Sequence, residues 1–149
     1  MNFVPLQYKD RVINLNTLSN INVDYQNLRI VYNFDFSIET ITRDGPKTIQ
    51  CYTYLDFDSE NELREVLDRT LNTAKEHGIV LLNANGNIIF NLDKVSSWHF
   101  NDEKLSIVFD MNCGVQKGDK IVSDFKYVNF DSEESYYDYI DTLKQILKL

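Results

Sequence analysis

The acidic run Asp56, Asp58, Glu60, Glu62, Glu65 and Asp68 is the densest set of chemically capable side chains in this 149-residue sequence. Carboxylates so close together can hold a divalent cation, or act as an acid–base pair. A calcium loop also needs a glycine at its sharp bend and a fixed ligand spacing, and both are missing here. The same residues suit the start of a helix, where carboxylates complement free backbone amides and the positive end of the helix dipole. Asp58 and Glu60 return as Asp131 and Glu133 within an identical Phe-Asp-Ser-Glu tetrapeptide, so one helix start is used twice. His77 and His99 have no Cys or His partner at ligand spacing. His77, followed by Gly78, reads as the cationic end of a helix, and His99 falls on the polar face of a strand beside Trp98. Cys51 and Cys113 occupy non-equivalent places in a chain with too few cysteines for a disulfide framework, and Cys113 has no basic neighbour to activate it, which predicts two reduced thiols. No phosphate-cradling glycine loop or nucleophile motif occurs. The expectation is therefore a non-enzymatic protein with no catalytic residue, no metal and no cofactor.

The tetrapeptide belongs to a longer echo. Ile13-Asn14-Leu15 returns as Phe90-Asn91-Leu92, and Leu28-Arg29-Ile30-Val31-Tyr32 as Leu105-Ser106-Ile107-Val108-Phe109, both at one common offset along the chain. Phe57 to Glu60 returns as Phe130 to Glu133 at a shorter offset, so the second copy lacks four residues in between. This predicts an α+β fold made by tandem duplication of an antiparallel meander followed by one amphipathic helix, forming a pseudo-twofold body. The repeats are residues 1–77 and 78–149. Units of this size are marginal alone, which favours one fused domain.

Within each repeat the periodicity places the elements. Ile79 to Leu82 and Asn87 to Phe90 flank Asn85-Gly86, a tight-turn dipeptide, and Val4 to Leu6 and Val12 to Leu15 flank Lys9-Asp10. Pro5 suits an edge strand. Ile21 and Val23 match Trp98 and Phe100 on one strand face, so core burial is expected of Trp98. Leu28, Ile30, Tyr32 and Phe34 match Leu105, Ile107, Phe109 and Met111. The last strands are expected near Thr48–Asp56 and Ile121–Asn129. Before them, Ile41 to Lys47 reads as a longer loop than Gly114 to Asp119, and such variable loops carry function. Helices are expected over about 59–76 and 132–148, opened by Ser59-x-x-Glu62 and Asp131-x-x-Glu134 capping boxes.

Composition limits the partners. Fifteen basic against 23 acidic side chains give a formal charge of −8. It is spread evenly, with 8 basic and 12 acidic residues in 1–76 and 7 and 11 in 77–149. Such a protein is repelled at long range by phosphate, which disfavours duplex nucleic acid and anionic membrane. Met1 leads straight into alternating residues without a basic start or apolar run, and no segment is long enough to span a bilayer, so a cytoplasmic location is expected. Tyr137 should fall off the helix stripe formed by Tyr136, Tyr139 and Ile140. With Glu134, Asp138 and Asp141 around it, it resembles a partner-binding patch, since tyrosine offers contact area at modest entropy cost. Asp44 and Lys47, in the variable loop, complete the candidate partner-binding residues.

An antiparallel sheet of about four strands followed by a helix, repeated in tandem, resembles the Whirly- and Pur-type single-stranded nucleic-acid-binding proteins. The resemblance covers residues 3–76 and 78–148 and rests on the order of elements, without a shared residue motif. It implies a pseudo-dimer with a shared helical core, and single-stranded DNA or RNA as ligand. Such binders use a basic sheet with exposed aromatics, whereas Arg29, Lys120 and Lys126 are scattered. The leading expectation is an acidic protein-binding, inhibitory or regulatory module, as in a phage or mobile-element accessory protein. A single-stranded nucleic-acid binder is the alternative, and homo-oligomers are open to either.

Overall fold

The computed structural model describes residues 2–84, 87–117 and 120–148, with side chains described except at 48, 84, 112–117 and 120–126. The Asn85-Gly86 turn, the thiol of Cys113 and the side chains of Lys120, Phe125 and Lys126 lie outside the described residues. The chain is α+β, with antiparallel sheets and two helices.

Strands β1 (Pro5–Tyr8) and β2 (Arg11–Asn14) form a hairpin closed by Lys9-Asp10, with Lys9 at φ 52°. Asn14 then starts a single 3-10 turn, Leu15–Thr17, its side-chain oxygen accepting from the Asn16 amide at 3.1 Å. Strands β3 (Leu18–Asp24), β4 (Arg29–Thr42) and β5 (Gly45–Asp56) follow as a meander, and α1 (Glu60–Glu76) ends the first half. The second half repeats this order as β6 (Leu81–Ala84), β7 (Ile88–Asn91), a 3-10 turn (Leu92–Lys94), β8 (Val95–Asn101), β9 (Ser106–Lys117), β10 (Lys120–Asn129) and α2 (Glu133–Leu147). Local chemistry repeats with it. Asn91 caps the second 3-10 turn, accepting from Asp93 N at 3.1 Å. Asp24 and Asn101 close the β3–β4 and β8–β9 turns by accepting from Asn27 N and Lys104 N, each three residues on. Leu28 and Leu105 take positive φ there, at 53° and 50°.

Four expectations need correction. Ile41 to Lys47 is no loop, because β4 and β5 continue to a two-residue turn at Arg43-Asp44. The four residues absent from the second half come out of the strands, which have 14 and 12 residues in the first half and 12 and 10 in the second. The second helix is capped by Ser132, which accepts from Ser135 N at 3.2 Å, one residue after the expected Asp131. Trp98 is half-buried rather than in the core, set edge-on to Phe109 with ring centroids 6.0 Å apart. The first helix starts where its cap implies, with Ser59 accepting from Glu62 N at 3.2 Å. Its Glu62 carboxylate accepts the Tyr8 hydroxyl rather than folding back to complete a capping box. His77 is the C-cap, with Nδ1 2.9 Å from Thr73 O, and Gly78 follows at φ 75°.

The sheets do not respect the boundary at 77/78. The larger sheet runs β5-β4-β3-β7-β6, so a hairpin from the second half completes the sheet of the first. Asn20, Ile21 and Asn22 pair with Phe90, Ile89 and Ile88. The remaining strands form a three-stranded sheet, β10-β9-β8, while β1–β2 is a separate two-stranded ribbon tied to its own meander by side chains, Arg11 donating to Thr53 Oγ1 at 2.6 Å and to Tyr54 O at 3.1 Å. Because side chains alternate across a strand, β6–β7 feeds two cores at once. Leu81 and Ile89 enter the first, around Leu15, Ile21, Ile30 and Leu63. Leu82 and Phe90 enter the second, around Ile107, Phe109, Tyr136 and Leu143. The Asn91 side chain crosses between halves to donate to Leu18 O at 2.8 Å, and Lys94 pairs with Asp35 at 2.7 Å.

Candidate binding surfaces

The longer strands of the first half produce its most conspicuous surface. After a register shift between Asn33 and Ser37, β4 and β5 pair on as an arm in which Ile38 faces Ile49 and Ile41 faces Pro46. Phe36, Ile38, Ile41 and Ile49 are all exposed on it, Ile41 at 86%. Asp44 and Lys47 stand at its tip as a 3.8 Å ion pair, which in water fixes little. Sequence reasoning singled out Asp44, Lys47 and the segment Ile41 to Lys47, but not Phe36, Ile38 or Ile49. The alternation of Ile38 with polar neighbours was available, but Asp44-Gly45-Pro46 reads first as a loop.

The other proposed patch lies on α2. Glu134, Tyr137, Asp138 and Asp141 fall at i, i+3, i+4 and i+7, one stripe opposite the buried Tyr136, Ile140 and Leu143. All four are exposed, and the Tyr137 ring meets Tyr136 edge-on at 5.0 Å. Among the described residues no hydrogen bond, ion pair or ring contact joins this stripe to the arm tip, so the six candidates form two separate surfaces.

A third surface is the outward face of the sheets. Tyr52, Tyr54 and Tyr127 are exposed there, Tyr54 and Tyr127 in matching slots of the two halves. Arg29 lies 4.0 Å over the Tyr54 ring and is held by Asp56 at 2.7 Å. That hydrogen-bonded pairing keeps the Asp56 carboxyl below the usual carboxylate range and raises the Arg29 guanidinium. A shallow cleft lined by His99, Asn101, Lys104, Val108, Tyr127 and Asn129 opens on the corresponding face of the second sheet.

Two further perturbed phenols, Tyr32 and Tyr136, lie in the interior. Tyr32, buried between sheet and α1, places its hydroxyl 3.0 Å from Thr70 Oγ1, and burial pushes its phenol up to about 12. Tyr136 is raised to about 12 by burial and then by the Asp102 carboxylate, which accepts its hydroxyl at 2.7 Å. Among the described residues no group of three or more His, Cys, Asp or Glu side chains is placed to hold a metal. No described helix is long and apolar enough to cross a membrane. No family model, no curated protein and no solved structure matches this chain.

Proposed function

We propose that this chain is a non-enzymatic protein-binding module of inhibitory or regulatory type that grips its partner with the β4–β5 arm. The supporting observation is the set of exposed apolar side chains on this ribbon, with Ile38 and Ile49 paired on one face, Ile41 on the other, Phe36 at the base, and Asp44 and Lys47 at the tip. Exposed apolar side chains on a ribbon gain free energy only when a partner covers them, and apolar contact area is what the core of a protein interface supplies. The acidic body, including the Tyr137 stripe on α2, would favour a basic partner such as the groove of a nucleic-acid-binding protein. Such a role suits an accessory protein of a phage or mobile element acting in the cytoplasm. The test is capture of a protein by the immobilised chain, compared with an Ile38→Asp, Ile41→Asp variant of unchanged far-UV circular dichroism. Loss of capture supports the arm, and equal capture by variant and parent refutes it. Tyr137→Ala asks the same of α2.

The exposed tyrosines of the sheet faces favour a second reading, a single-stranded nucleic-acid binder of Whirly-like organisation. Tyr54 under Arg29, and Tyr127 beside Lys104 and His99, could stack bases and meet phosphates. Fluorescence anisotropy of a labelled single-stranded oligonucleotide decides it. Saturable binding that collapses with salt supports it, and no binding at low salt removes it.

A further inference from the structure

The two halves have the same element order but different neighbours, and the difference leaves two complementary surfaces uncovered. In the first half, β3 is flanked by β4 on one side and by β7 of the second half on the other. Its counterpart in the second half, β8, has only β9 beside it, so among the described residues its outer edge carries no strand. Burial follows. Leu18 to Ile21 and Val23 are buried in β3, whereas at the matching places in β8 Val95 and Trp98 are half-buried and Ser96, Ser97 and Phe100 are exposed.

The hairpins show the converse. In β6–β7 one face packs on its own half through Leu82 and Phe90, and so does the matching pair Leu6 and Ile13 in β1–β2. The other face of β6–β7, with Ile79 leading into it, packs on the preceding half. Ile79 and Ile89 are 6% and 1% exposed there. Their counterparts ahead of and within β1–β2 are Phe3 and Val12, which stand 47% and 51% exposed. Pro5, the counterpart of Leu81, is exposed as well. Beside Val12 a groove of about 350 Å³ opens against Phe34 and Phe36 of β4. The residue matching Phe34 in the second half is Met111, which is fully buried. Asn91 donates to Leu18 O across the halves, while among the described residues the side-chain amide of the matching Asn14 donates to nothing.

We propose that the open edge of β8 in one copy of this chain is filled by the β1–β2 hairpin of a second copy, as β6–β7 fills the edge of β3 within the chain. The occupant is a second copy because the chain already contains the template for the joint, and the unused hairpin matches the unused edge residue by residue. Carrying the observed register over pairs Ser97 with Ile13, Trp98 with Val12 and His99 with Arg11 of the neighbouring copy. Trp98 against Val12 is an aromatic–β-branched cross-strand pair, among the favourable ones. The new strand supplies ladder hydrogen bonds to an edge that otherwise faces water, and it covers Phe3, Val12, Trp98 and Phe100. The two surfaces differ, so the contact is head-to-tail, and the assembly is a ring if the rotation closes and a filament if it does not.

Sedimentation velocity of the full chain over rising concentration, with emission of Trp98 followed in parallel, tests this. Trp98 is the only tryptophan, so its emission reports this edge alone. The expected result is a mass rising to at least twice that of one chain, with Trp98 emission shifting to the blue as the edge is covered. Val12→Lys on the hairpin and Ser97→Lys on the edge alter exposed side chains, and each should return the protein to the mass of one chain. A mixture of the two should give a two-chain species and nothing larger, because one retains a working edge and the other a working hairpin. A mass of one chain for the parent at every concentration overturns the proposal. So does assembly that survives both substitutions, or a mixture in which no two-chain species forms. If Val12→Lys loses its fold, Phe3→Glu, just ahead of β1, makes the same test without touching the hairpin.

Discussion

Removing the hydroxyl of Tyr32 and that of Thr70 should have unequal, non-additive costs. Thr70 Oγ1 donates to Val66 O at 2.8 Å, so its proton is committed, and the Tyr32 hydroxyl 3.0 Å away must be the donor of that pair. Tyr32→Phe removes a donor and leaves Thr70 with its proton satisfied, at a cost of about 1 kcal/mol, the net worth of a neutral hydrogen bond. Thr70→Val keeps the β-branched shape in the helix but leaves a fully buried phenol O–H without an acceptor, which costs about 2 kcal/mol. In the double variant no donor is left without an acceptor, so its cost returns to about 1 kcal/mol, and the coupling is about −2 kcal/mol. Urea unfolding of the parent and three variants, followed by far-UV circular dichroism, measures the cycle. The same phenol has a signature in alkali. Burial raises it to about 12 from an ordinary value near 10, so the neutral form is the favoured one. Its contribution is complete below pH 10 and is lost as pH rises through 12, about 3 kcal/mol in all by the cost of two pKa units. The advantage of the parent over Tyr32→Phe should therefore shrink and reverse between pH 10 and 12, while Tyr136, present in both, cancels. A double variant that costs the sum of the singles, or a parent–variant difference flat in pH, would refute the assignment of donor and acceptor.

Other consequences are simpler to state. Ser59→Ala or Ser132→Ala should each cost about 1 kcal/mol in thermal or urea unfolding, because each removes a helix N-cap acceptor. Gly78→Ala should cost about 1 kcal/mol despite open space around its would-be Cβ, since the backbone there sits at φ 75°; a neutral result in the same assay would show that the helix end relaxes. In a carboxylate NMR titration, Asp56 should show a midpoint below the usual range, and Arg29→Gln should move it back up. Being depressed, that carboxyl supports the fold above its unfolded pKa and loses this support as pH falls through its folded value.

The sequence revealed local structure better than it revealed neighbours. Hydrophobic period two located Ile30, Tyr32, Ile107 and Phe109 in the core, and Ser59 and Gly78 marked the ends of α1, because caps and alternation act over a few residues. The pairing of β3 with β7 left no such trace. Ile88 to Phe90 read equally well as the opening strand of their own repeat, and nothing local says that their edge is taken by Ile21 across the boundary. Trp98 was misjudged for the same reason, since its burial depends on a strand that β8 lacks. On the candidate site, Tyr137 and its carboxylates share a helix face by simple spacing. The arm stayed hidden because Asp44-Gly45-Pro46 suits a loop as well as the corner of a long hairpin.

The β3–β7 pairing also orders events in time. Each hairpin joins strands that are close in sequence, but Asn20 meets Phe90 across most of the first half of the chain, the kind of non-local contact that forms late. During synthesis α1 is complete at Glu76, while β7 ends at Asn91. At about 5–20 residues per second, roughly one to three seconds separate the two. For that interval β3 has one bare edge beside an assembled apolar face, and neighbouring nascent chains on one message could pair with it. Fast closure of the β6–β7 hairpin shortens this exposure, which makes its turn a kinetic determinant of yield as well as a connection.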